Sequence, residues 1–410
     1  ATGGTSGASM TTGGTSGGST PTGGTSGGTM PSGGTSAGMA TGGTSAGTTT
    51  GGAAGAGGAA GSAPSGGAGM GGKAGAGGTA SGGSAGVGSA NDIYVGPSGN
   101  DSNPGTQASP YRTLGRAHTA ASAGRTIWLL PGTHTYSATT SLTKSGTQAA
   151  PIVISGTPGN RPVLDFASQP RGSNNRGIEI DGNYWQVRGI EVANAGDNCI
   201  AISGSNNVVD NVVTHDCEDT GLQITVGASQ AGNDAFGANN LILNCDSYQN
   251  YDQATGGENA DGFAAKLRIG PGNVFRGCRA WNNADDGWDL FASNDVVVIE
   301  DSWAFSNGKV DGQNPAGDGN GFKLGGAPAG TDQGGAVHLV RRNASFENRA
   351  CGFTRNNNPS VPAASDCKVR DNPGGNYCAM SCSPQSGETM TAAQAKVAPR
   401  NADGSLPPIP

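Results

Sequence analysis

The sequence predicts an all-β protein: a right-handed parallel β-helix, a solenoid of about ten rungs behind a disordered Gly/Thr/Ser-rich N-terminal segment. Three observations predict it. From Ile178 onward one phrase returns at a period of about 22 residues: an Asn pair, a short β-branched run, then an aromatic residue two positions before an Asn. No helical period separates these short runs, so none can bury a face alone and they must stack. Gly and Asn collect at the corners, where a tight coil needs left-handed backbone and stacked Asn side chains can bond from rung to rung. A leucine-rich repeat would show Leu at fixed offsets and intervening helices, and neither is present.

Taken in order, residues 1–90 vary on Thr-Gly-Gly-Thr-Ser-Gly and then on Gly/Ala/Ser. Lys73 is their only charge, and they hold no aromatic residue, Leu or Ile. Such a segment has almost nothing to bury and reads as a disordered tether. The entry to the coil follows at Tyr94-Val95 and Gly99-Asn100-Asp101, with residues 113–123 as a short capping helix and Thr126–Gly132 as a first strand. The Asn-led runs then recur at Asn206-Asn207-Val208-Val209, Asn239-Asn240-Leu241-Ile242, Gly272-Asn273-Val274-Phe275 and Asn294-Asp295-Val296-Val297. Their aromatic–Asn members are Tyr248/Asn250, Trp281/Asn283, Phe305/Asn307 and Phe346/Asn348, and His215 takes an aromatic slot. Residues 91–360 are expected to form the coil, and 361–410 a loop-rich, Cys-containing tail.

Eight cysteines are present, four of them within 351–382 at irregular spacing without His, which suits one or two disulfides better than zinc. Cys245 and Cys278 share one slot of neighbouring repeats and read as buried thiols. With the chain opening at Ala1 and the Ser/Thr/Gly tether, these features predict a processed protein, secreted or held at the cell surface. No apolar run of about 18 residues is present to span a membrane. A net charge of -7 without a basic stripe argues against nucleic acid. A monomer is expected.

Chemistry enters where the repeats are aligned on their glycines: Ala260-Asp261-Gly262-Phe263, Asp285-Asp286-Gly287-Trp288-Asp289 and Asn320-Gly321-Phe322-Lys323. Asp261 then falls over Asp286, and Asp289 over Lys323. An Asp before Gly is ordinarily only turn chemistry. Four acids on rungs about 4.8 Å apart are another matter: their mutual repulsion calls for a cation. Ca²⁺, with six to eight oxygen ligands, fits better than zinc, since neither His nor Cys accompanies them. Paired Asp also serves glycoside hydrolysis, where one carboxyl stays protonated and no metal is wanted. Lys323 reads either as the counter-ion of these acids or as a Brønsted base whose pKa falls beside the metal. Lys266 stands close enough in sequence to share that face as a substrate contact, and Arg279 and Arg355, with Arg341 and Arg342, are further candidates for an acidic polymer. A non-catalytic, calcium-stabilised wall-binding module would keep the acids but have no use for Lys323.

These motifs resemble pectate lyases of polysaccharide lyase family 9. The similarity runs through Asn244-Cys245-Asp246-Ser247-Tyr248, Asn259-Ala260-Asp261-Gly262-Phe263, Gly272–Asn283, Asp285–Leu290 and Gly319–Gly325, within roughly residues 92–358. The resemblance implies a right-handed parallel β-helix and four calcium-binding aspartates, here Asp261, Asp285, Asp286 and Asp289. It also implies a lysine base, here Lys323, acting on polygalacturonate by β-elimination to leave 4,5-unsaturated ends. The chain departs from the pattern at its C-terminus, where it stops soon after the last clear repeat.

Overall fold

The computed structural model describes residues 89, 92–226, 237–327, 334–383, 385–387 and 390–408; the expected tether, Ser89 apart, lies outside the described residues. Among the described residues the regular structure is strand, apart from two short helices. Among the described residues nine successive rungs each contribute one strand to each of three parallel sheets, with one further strand at either end, which makes a parallel β-helix; parallel crossovers of this kind are right-handed. The first sheet has ten strands, from Asp92–Val95 to Ala363–Ser365, and the second ten, from Thr133–Thr135 to Gln385–Gly387. The third has nine, from Thr140–Leu142 to Gly375–Cys378. The expected N-terminal helix is Leu114–Ala120, with Thr113 as its N-cap.

Strand pairing confirms the alignment read from the repeats. In the third sheet Phe263 pairs with Trp288, Trp288 with Phe322 and Phe322 with Phe353. Successive strand residues point to opposite faces, so these aromatics turn inward and stack at ring spacings of 4.9, 4.8 and 4.7 Å. The same alternation turns Asp289 and Lys323, which are partners in register, outward. A fully buried aromatic column thus fixes the heights of Asp289 and Lys323 on the outer face.

A second column runs beside it. Asn250 donates from Nδ2 to Oδ1 of Asn283 (2.8 Å), Asn283 to Asn307 (3.1 Å), Asn307 to Asn348 (2.9 Å) and Asn348 to Asn372 (3.0 Å). This is the expected rung-to-rung ladder, with one refinement. The left-handed corner residues include other asparagines, such as Asn206, Asn211, Asn239, Asn244 and Asn282, and also Asp216, Gln249, Ser306 and Glu347, but not the ladder itself. The recurring Gly-aromatic glycines are needed for space: a Cβ on Gly262, Gly287 or Gly321 would come within 2.8 Å of the ladder nitrogen of Asn283, Asn307 or Asn348.

Residue 360 is not the end of the coil. Strands Ala363–Ser365, Cys367–Arg370, Gly375–Cys378 and Gln385–Gly387 extend all three sheets, where a loop-rich tail was expected. Their turns lack the Asn–aromatic phrase, which hid them in the sequence. Disulfides Cys351–Cys378 and Cys367–Cys382 fasten these last rungs, and Cys199–Cys217 joins two earlier ones. Cys245 and Cys278 are buried free thiols. The remaining tail carries helix Ala392–Val397 and covers the outer face of the second sheet, where Trp281, Phe305 and Phe346 stack.

Candidate active site

The third sheet's aspartates sit where the chain enters each strand. Asp261 and Asp286 precede the glycines that pack on the Asn ladder, so their positions follow from that packing. Carboxylate oxygens of Asp261, Asp285 and Asp286 lie within 4.8 Å of one another, and all three residues are buried. Each is held by donors. Asp261 accepts from the Asp286 amide (3.2 Å) and the Thr220 hydroxyl (3.1 Å). Asp285 accepts from the amides of Asp318 (2.5 Å) and Asn259 (3.2 Å). Asp286 accepts from Asn320, through its amide (2.6 Å) and its Nδ2 (2.9 Å).

Asp289, the fourth expected acid, stands outside that triplet. Its Oδ1 accepts from the Phe291 amide at 2.9 Å, and its Oδ2 lies 3.5 Å from Lys266 Nζ. Lys266 itself is buried in the cluster, donating to Asp261 Oδ2 at 2.9 Å. This corrects the expectation of a substrate contact on the open face: the ammonium is spent on two acids. Lys323 Nζ lies 3.2 Å from Asp286 Oδ2 and 3.1 Å from Asp318 Oδ2. Asp318 was missed in the sequence, because it belongs to the loop 309–319 and has no counterpart in the other rungs.

Electrostatics match the geometry. Burial pushes Asp261 up to about 8 despite Lys266, with the Asp289 and Asp285 carboxylates adding to the rise. Burial also raises Asp286 far above the usual carboxylate range, helped by Asp285, and raises Asp285. For Lys323, burial works against the ammonium, but Asp286, Asp289, Asp285 and Asp261 outweigh it and hold its pKa above the ordinary lysine value. The cluster therefore carries more acid than its two lysines neutralise, and it offers only oxygen donors to a cation.

Arg279 is nowhere near this site. It lies on the second sheet, where it binds Asp246 through Nε (2.8 Å) and a second nitrogen (2.9 Å) and donates to the carbonyls of Ala395 and Ala398. Its role is to anchor the C-terminal helix, and the expectation of substrate binding is corrected accordingly. Arg341 and Arg342 pair with Glu300 on the first sheet. Arg355 remains close: it directly follows Thr354, the register partner of Lys323. Its Nε is buried and has no hydrogen-bond partner among the described residues.

Comparison with known proteins places the fold in a family. Residues 93–389 match the family described as Pel9A-like, right handed beta helix region. The chain is 43% identical over 298 residues to pectate lyase L of Paenibacillus polymyxa (strain SC2), covering 70% of this chain and 65% of that protein. It thus spans just under two thirds of that relative's length. The crystal structure of pectate lyase Pel9A superposes with a TM-score of 0.64 at 33% identity, covering 78% of this chain and 88% of that one. A rhamnogalacturonan lyase superposes with a TM-score of 0.62 at 25% identity, covering 77% and 95%. The match runs through the entire coil, site included, and the chain belongs to the Pel9A-like right-handed β-helix family.

Proposed function

We propose that the protein is a calcium-dependent pectate lyase that cleaves α-1,4-linked polygalacturonate by β-elimination, with Lys323 as the base. The observation that carries this is the convergence of three buried carboxylates within 4.8 Å, with Lys323 Nζ 3.2 Å from one of them. The donor set fits calcium: Asp261, Asp285 and Asp286 would hold it, with Asp289 as a further oxygen donor beside them. When bound, calcium would neutralise a substrate carboxylate and acidify the neighbouring C5 proton.

The remaining work falls to the chain. Neutral Lys323 accepts the C5 proton at Nζ; the freed electron pair forms the C4=C5 double bond, and the C4–O bond breaks onto the leaving oxygen, which takes up a proton from solvent while the Lys323 ammonium returns one. No water is added. Because the surrounding carboxylates favour the ammonium, a neutral Lys323 requires their charge to be compensated and the pH to be alkaline. Arg355, one residue past the register partner of Lys323, is assigned to a substrate carboxylate on the adjacent rung. Three disulfides support a site of action in an oxidising compartment outside the cytoplasm.

The test is the ultraviolet absorbance of unsaturated ends on polygalacturonate at alkaline pH, with calcium and with chelator. Wild type should give product only with calcium, and Lys323→Met should lose roughly 10²–10⁴-fold in kcat. New reducing ends without absorbance would instead make the protein a hydrolase. Likeness to a rhamnogalacturonan lyase favours one second reading, the same elimination on a related uronate polymer. Absorbance on rhamnogalacturonan and none on polygalacturonate would select it.

A further inference from the structure

The elimination just described makes no use of Lys266, yet this residue is built into the acid cluster more tightly than Lys323. Its side chain is only 9% exposed, and it bridges carboxylates from two successive rungs: Asp261 Oδ2 at 2.9 Å and Asp289 Oδ2 at 3.5 Å. Both oxygens of Asp261 are occupied. Oδ1 accepts from the Asp286 amide, and Oδ2 accepts from Lys266 and from the Thr220 hydroxyl. A cation drawn to Asp261, Asp285 and Asp286 meets these donors at Asp261, whose lone pairs a neutral donor can share with it. Two of them are neutral. Lys266 is the charged one, and an ammonium within a few ångströms of a divalent ion in a buried site is strongly repelled.

The backbone gives the side chain somewhere to go. Strand Phe263–Ala265 ends just before Lys266, and Leu267 and Arg268 follow with φ of 65° and 66°, outside the regular strand. Leu267 is 45% exposed, so the surface lies one residue away. We propose that Lys266 is an exchangeable internal cation. Its ammonium compensates Asp261 and Asp289 while no metal is bound, and leaves Asp261 when a divalent cation enters. Lys266 therefore sets the metal affinity of the site. The proposal rests on the calcium reading of the cluster.

Calorimetric titration of calcium into chelator-stripped protein tests it, with wild type, Lys266→Met and Lys266→Arg compared. Lys266→Met, with no charge to displace, should bind calcium at least about tenfold more tightly. Lys266→Arg, which keeps the charge, should stay near wild type. The stripped Lys266→Met protein should also melt lower, because two buried carboxylates lose their partner. Equal or weaker calcium binding by Lys266→Met overturns the proposal. If that variant does not fold, wild type still provides a reading through an amine-acylating reagent and peptide mass mapping. Lys266 should be protected in the stripped protein and modified in the calcium-loaded one; equal modification in both states overturns the exchange. A wild type that takes up no calcium overturns the metal reading itself, a separate failure.

Discussion

Asp261 concentrates the electrostatic problem of the site in one side chain. Burial lifts its carboxyl from 3.8 to about 8 in the folded protein. Between those values the folded chain holds a proton that the unfolded chain has released, so stability falls as pH rises through that window. Lys323, whose pKa is also raised, has the same sign at higher pH: its contribution is complete below the ordinary lysine value and is lost as pH climbs through the folded value. Chelator-treated protein should therefore melt higher near about pH 5 than near about pH 8, and calcium should raise the melting temperature more at the higher pH, where protons compete less. Melting curves at both values, with and without calcium, check this; a calcium increment independent of pH would contradict it. The five residues resembling the family's site were legible in the sequence because a two-residue strand period and a shared glycine fix their register. Asp289 standing outside the triplet, Lys266 turning inward and Asp318 reaching Lys323 were not, because each depends on a loop or rotamer that the repeat does not encode.

Individual strands here are only two to five residues long, so each depends on its neighbours. The inward columns do most of the specifying: Phe263, Trp288, Phe322 and Phe353 on one side, the Asn ladder on the other. Replacing a buried Phe of this kind by Ala typically costs about 3–5 kcal/mol. The periodic phrase gave these columns away but did not say which outward face carries the site. Arg279 shows why. Arg279 and Lys323 both point outward from a rung, and the tail, packed over the second sheet, is what separates the arginine it covers from the lysine proposed as the base. Arg279→Ala should lower the melting temperature by uncoupling Asp246 and the helix Ala392–Val397, while KM for polygalacturonate stays within about twofold of wild type. A large rise in KM with unchanged melting would return Arg279 to the substrate groove.

At the scale of the whole molecule, the solenoid sets adjacent rungs about 4.8 Å apart, a spacing that lets acids from successive turns share one ion. The same stacking extends past residue 360, where disulfides and the C-terminal helix take over from the Asn–aromatic phrase; that change of device is why the sequence pattern fades before the coil does. The central claim is elimination by Lys323 at a calcium-compensated acid cluster. Mass spectrometry of the oligomers released from polygalacturonate in heavy-oxygen water tests it most directly. The account predicts that one new end of each cut is an unsaturated uronate, a water lighter than its saturated counterpart, with no heavy oxygen gained in the cleavage, and that this product vanishes in chelator. Saturated ends carrying one heavy oxygen per cut would mean that water breaks the bond, and would contradict it.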